Sequence, residues 1–76
     1  MVFPTNMRWQ ERLRLARIAL HLTQGQLAEV VGSSRRRIWF LERRAEFICK
    51  YEQQKLAEAL CEPVESIFKG AKESKR

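Results

Sequence analysis

Gly32 sits between two short helical patterns, and few arrangements other than a sharp turn between helices suit the residues around it. Residues 22–44 read L-T-Q-G-Q-L-A-E-V-V-G-S-S-R-R-R-I-W-F-L-E-R-R. Thr23 and Gln26 have capping-box spacing: the hydroxyl can accept the third backbone N–H while the Gln26 amide reaches back. Leu22 and Leu27 stand where a hydrophobic staple would fix the start of that helix. Leu27, Val30 and Val31 recur at i, i+3, i+4 and predict one apolar stripe. Gly32 ends the helix, because it takes the left-handed conformation that a β-branched valine adopts only with strain. Ser34 is the expected N-cap of the next helix, whose inward stripe is Ile38, Leu41 and Ala45.

Around this pair the chain supplies further helices. Asn6 is placed as N-cap of a first helix over residues 7 to about 20, with Trp9, Leu13, Ala16 and Leu20 facing inward. Leu15 and Ile18 fall off that stripe, and Arg8, Arg12 and Arg14 lie outward. His21 stands at the helix end, where its imidazole can answer the last carbonyls. Residues 44–49 form a connection from which Phe47 and Ile48 are expected to enter the core. A fourth helix over about residues 50–60 buries Leu56, Ala57 and Leu60, with Tyr51 at its edge, and Pro63 suits the first turn of a short last helix, Val64–Phe68. No stretch alternates with strand period. The predicted fold class is all-α: a compact domain of five short helices over residues 7–68, after an N-terminal arm (1–6) and before a basic, frayed tail (69–76).

Composition narrows the function classes. With 76 residues and a formal net charge of +6, this is one small domain whose surplus of Lys and Arg favours a polyanionic partner. No apolar run approaches the roughly 20 residues needed to span a bilayer. The start, MVFPTNM, lacks the charged and apolar regions of a signal peptide, so a cytoplasmic protein with no membrane partner is expected. Cys49, Cys61 and His21 are too few and too scattered for a zinc site, and both cysteines read as reduced thiols. There is no nucleophile–His–carboxylate set and no Gly-rich phosphate loop, so no enzyme and no cofactor are expected.

The positive charge is concentrated at one place. Arg35, Arg36 and Arg37 open the third helix, where cations oppose the macrodipole by roughly 0.3–1 kcal/mol each and repel one another. A solvated charged face is the bland interpretation; an anionic ligand at that helix end is the one that explains the cost. A helix of about nine residues is roughly 13 Å long, enough to lie in a major groove, and an arginine can bond guanine O6 and N7 with two parallel hydrogen bonds. Helix, tight turn and arginine-led helix together predict a DNA-binding helix-turn-helix.

The same residues carry a family resemblance. Arg17, Leu22, Thr23, Gln24, Leu27, Ala28, Gly32, Ser34, Ile38, Leu41, Glu42 and Arg43, followed by Ala57, Ala59, Leu60, Ile67 and Phe68, stand in the order and spacing of the Cro and lambda-repressor-like, or Xre-type, helix-turn-helix domains of bacteria and phages. The register holds without a gap from about residue 13 to residue 68. Three departures stand out. Ser33 replaces the usual apolar turn residue, which should loosen that corner. Arg44 replaces the glycine that commonly ends the third helix, which should run on by a turn. Trp39 and Phe40 stand where many relatives carry polar side chains.

The resemblance implies base-edge contact by Arg35 and Arg36, with Trp39 and Phe40 on the same groove-facing side, where an aromatic can pack on thymine methyl groups. It implies a phosphate contact from Gln24, assisted by the N–H groups of its helix end. Ser34, Arg37, Arg43, Arg44 and Lys50 complete the expected phosphate set, with solvated charge as the competing interpretation. In similar proteins, the positions of Arg17 and Glu42 form a partly buried ion pair. What this implies is a sequence-specific double-stranded DNA-binding regulator: a homodimeric repressor on a palindromic operator with half-sites about 34 Å apart. Contact with RNA polymerase is the activating variant. The rivals are a protein-interaction module of antitoxin or antirepressor type gripping a partner through Trp39 and Phe40, and a binder of structured RNA, whose deep, narrow major groove excludes a helix.

Overall fold

The computed structural model describes residues 2–4 and 6–73. Five helices follow one another: α1 Trp9–Ala19, α2 Gln24–Val31, α3 Arg35–Arg43, α4 Lys50–Ala59 and α5 Val64–Phe68. The architecture is all-α; α2 packs on α3, α1 on α3 and α5, and α4 on α2 and α5. Leu13, Leu27, Ile38, Leu41, Ile48, Leu56, Leu60 and Ile67 are fully enclosed, so every helix contributes to one core. Trp9 closes its lower end against Phe68, with ring centroids 5.7 Å apart.

The central turn forms as its residues dictate. The Gln26 N–H donates to Thr23 Oγ1 at 3.0 Å and the Thr23 N–H to Gln26 Oε1 at 2.8 Å, a reciprocal capping box. Gly32 is left-handed (φ 71°), which lets the Ser33 N–H return to the Ala28 carbonyl at 2.8 Å. Ser34 then caps α3 by accepting the Arg37 N–H at 3.1 Å. Ser33 leaves these hydrogen bonds intact.

Several expectations are corrected. Asn6 does not cap α1: it is left-handed (φ 70°), and Arg8 is the N-cap, its N–H donating to Glu11 Oε1 at 3.2 Å. Leu20 is exposed, since α1 ends one residue before it and the chain turns away. His21 answers the last carbonyls with its backbone rather than its imidazole: it is left-handed (φ 58°) and its N–H donates to the Ile18 carbonyl at 2.9 Å. Val30 is 65% exposed; the inward stripe of α2 is Leu27, Ala28 and Val31. Phe47 is exposed while Ile48 is buried, because the extended connection turns successive side chains to opposite sides. α3 stops at Arg43 without a glycine, as the N–H groups of Arg44 and Ala45 both return to the Phe40 carbonyl and buried Ala45 draws the chain inward.

Arg12, placed outward by periodicity, is half-buried and donates to the carbonyls of Met7, Ile67 and Lys69. It ties the start of α1 to the end of α5. Of the segment expected to be a frayed tail, residues 69–73 run back along the domain: the Ile48 N–H donates to the Lys72 carbonyl at 2.9 Å and Ala71 packs against the core. Residues 74–76 of that tail, and Met1 and Thr5 of the arm, lie outside the described residues.

Candidate nucleic-acid interface

Around α3, at about 100° per residue, Ile38, Leu41, Glu42 and Ala45 share the inward side, and all four are buried. The outward crest therefore carries Arg36, Phe40 and Arg43. Arg35 and Trp39 occupy the flank towards α2, and Arg37 and Arg44 the flank towards α4. Gln24, Arg35, Arg36 and Trp39 line one open cleft of about 610 Å3, which brings together three of the four expected base-reading residues and one expected phosphate contact. A second cleft passes the start of α2 and shares Gln24 and Arg35 with the first. The N-terminal end of α2 and the first turn of α3 thus form one continuous concave surface.

The side chains on this surface differ in what already holds them. Arg35 and Arg36 are exposed and have no acidic partner among the described residues. Trp39 and Phe40 are each 41% exposed. Neither rotates into the core, but each lies beneath an arginine: Arg43 over the Trp39 ring at 5.9 Å and Arg37 over the Phe40 ring at 5.6 Å. Arg43 and Arg44 are exposed at the far end of α3, and Lys50 opens α4.

Arg37 is held elsewhere. Its Nε and Nη2 donate to the two carboxylate oxygens of Glu52 at 2.9 and 2.8 Å. Those hydrogen bonds, offset in part by burial, keep its guanidinium above the ordinary range, so it is charged at every physiological pH. A phosphate contact from Arg37 would require this fork to open. Glu52 carried no signal in the sequence that marked it as a partner.

Behind the surface lies a three-way tie. Arg17 Nε donates to Glu42 Oε2 at 2.7 Å and its Nη2 to Glu42 Oε1 at 3.1 Å. Its Nη1 donates to the Leu22 carbonyl at 2.7 Å, and Gln24 Nε2 donates to Glu42 Oε1 at 3.1 Å. One carboxylate thereby fixes α3 to α1, to the turn before α2, and to the first residue of α2. The Gln24 amide retains a second N–H that this bond does not use.

The chain was compared with known proteins on this footing. No protein-family model matches it, and no curated protein matches it. Among solved structures, it is similar to the restriction-modification controller protein C.AhdI from Aeromonas hydrophila. The two are 32% identical, the match covers 79% of this chain and 91% of that one, and the TM-score is 0.74. The chain belongs to the Cro/lambda-repressor-like helix-turn-helix family. In this lambda-repressor-like domain α2 and α3 are the helix-turn-helix. Among the described residues no group of His, Cys, Asp or Glu could hold a metal ion, and no helix is long and apolar enough to cross a membrane.

Proposed function

We propose that this protein is a DNA-binding transcriptional regulator that reads double-stranded DNA with α3 in the major groove. The observation that carries this reading is the cleft at the start of α3, where exposed Arg35 and Arg36, without acidic partners among the described residues, stand beside Gln24 and Trp39. Cations at that helix end are costly in the free protein and are compensated by phosphate and guanine. Arg36, on the crest, reads a guanine edge; Arg35 reads from the α2 flank; Trp39 and Phe40 meet thymine methyl groups. Gln24, with the free N–H groups of the α2 terminus, and Ser34, Arg43, Arg44 and Lys50 contact phosphates on either side. The Arg17–Glu42–Gln24 tie holds the two clamped surfaces in fixed relation.

The domain spans 30 Å in its longest dimension, less than the roughly 34 Å between major-groove faces one helical turn apart, so one copy reads one half-site. The reading is therefore a homodimer on a palindromic operator that represses by occluding a promoter, with activation through RNA polymerase where the operator lies upstream. The solved relative's role as a restriction-modification controller makes control of such a gene pair the regulated process to test first.

Fluorescence anisotropy with a labelled duplex DNA, competed with duplex RNA of the same sequence, tests the class of ligand. Displacement by DNA and not by RNA is expected, with Trp39→Ala lowering DNA affinity about tenfold or more, in line with roughly 1–3 kcal/mol for a good base contact. Equal displacement by RNA would contradict the reading. So would a Trp39→Ala variant with unchanged DNA binding, which would instead mark the aromatic pair as a protein-binding patch.

A further inference from the structure

The three arginines that open α3 are not equivalent. Arg35 and Arg36 line the open cleft, whereas Arg37 turns towards α4 and forms a bidentate fork with Glu52. The pair sits at the edge of the surface, with side chains 40% and 22% exposed, where an ion pair adds little to folding stability. Glu52 is the third residue of α4, so its carboxylate is also favoured by that helix's N-terminal dipole. It stays on α4, and it keeps Arg37 with it. Phe40, on the crest, lies beneath Arg37, 5.6 Å from its guanidinium to the ring centroid.

We propose that Glu52 is a positioning residue that withholds Arg37 from DNA phosphates and so lowers the phosphate-driven, salt-dependent share of affinity for any duplex; this rests on the DNA-binding reading above. Sequence-blind attraction grows with each cation that reaches a phosphate and releases a counterion. Base-edge bonding by Arg36 does not. Removing one cation from the phosphate-facing set therefore weakens binding to any duplex by about the same factor and makes that binding less dependent on salt. Arg37 joins α3 to α4, and its charge is balanced by Glu52 at the edge of the surface.

The test compares wild type, Glu52→Gln and the double variant Glu52→Gln with Arg37→Met, each checked for folding by circular dichroism. Binding to a random duplex is titrated across salt concentrations, and binding to the selected operator alongside it. In Glu52→Gln the freed arginine should steepen the salt slope for random DNA by about 0.9 and raise affinity severalfold at 0.15 M salt. Operator affinity should rise by a similar factor and its salt slope should steepen likewise, because the operator carries the same phosphates. In the double variant the slope should return to the wild-type value. A Glu52→Gln slope equal to wild type would overturn the proposal, because the pair would then be structural only. A double variant as steep as Glu52→Gln would overturn it as well, because loss of the Glu52 charge alone would explain the change. The Arg37 Nε–H signal in nitrogen-15 spectra of the wild type gives a reading that needs no variant. It should persist during titration with random duplex, and a shift matching that of Arg36 would contradict the proposal. If wild type binds no duplex at all, the function reading fails, which is a distinct result.

Discussion

The Glu42 carboxylate lies at the boundary of the core with its side chain 1% exposed, and it survives there because Arg17 and Gln24 supply three hydrogen bonds. Removing it leaves the Arg17 guanidinium buried without a counter-charge. Glu42→Ala is therefore expected to lose about 3–5 kcal/mol of folding stability, measured by urea unfolding. A loss below about 1 kcal/mol would mean that the pair behaves as a surface contact. Arg17 and Glu42 were readable as a pair because charged side chains interrupting apolar helical surfaces are conspicuous, whereas Gln24 was read only as a phosphate contact and its bond to Glu42 was not foreseen. Arg12 was not, since its partners are backbone carbonyls of Met7, Ile67 and Lys69, and carbonyls leave no mark in a sequence. The same blindness hid Gln53, which is buried and donates to the Ile48 carbonyl at 3.0 Å.

At the scale of the helix, three C-termini share one geometry. After α1, α2 and α4 the chain passes through a left-handed residue, and the following N–H returns to a carbonyl in the last turn: Leu22 to Arg17, Ser33 to Ala28 and Glu62 to Ala57. Only α2 uses glycine for this; α1 uses His21 (φ 58°) and α4 uses Cys61 (φ 58°). That is why the turn residue after α2 was legible and those after α1 and α4 were not, although all three helices end within about a residue of their expected positions. The two kinds of site should respond in opposite directions. No atom lies within 4 Å of where a Cβ at Gly32 would sit, so Gly32→Ala costs only the backbone strain, about 1–2 kcal/mol. Cys61→Gly relieves similar strain, offset by glycine's greater freedom in the unfolded chain, and should gain about 0.5–1 kcal/mol. Thermal unfolding of the two variants checks both signs, and equal losses would contradict the shared-geometry account. Boundaries elsewhere moved for packing reasons. Phe47, apolar and next to Ile48, was expected inside; an extended connection has room on its inner side for only one of two neighbours.

For the whole molecule, the helix count, the turn and the core were legible because capping, periodicity and turn chemistry agree along most of the chain. α3 was legible as a helix, and its charge as a clue to a polyanion. Less legible was how that charge is shared out. Sequence spacing places Arg35, Arg36 and Arg37 together, while the fold sends two into the cleft beside Gln24 and Trp39 and the third to Glu52. A pairing between α3 and α4 depends on the angle at which α4 returns, and no local pattern encodes that angle. The stacking of Arg43 on Trp39 and of Arg37 on Phe40 is different: these residues stand four and three apart on one helix, a local spacing, and they make this face a mixed cation–aromatic surface.

On the proposed function, α3 reads a defined DNA sequence with Arg36 at its crest. Selection of bound duplexes from a random library at physiological salt, run in parallel with Arg36→Ala, tests it most directly. The expected motif is two-fold symmetric, with half-sites about one helical turn apart, and contains a guanine whose preference is lost with Arg36→Ala. Recovery of no motif, with binding that depends on salt but not on sequence, would contradict it.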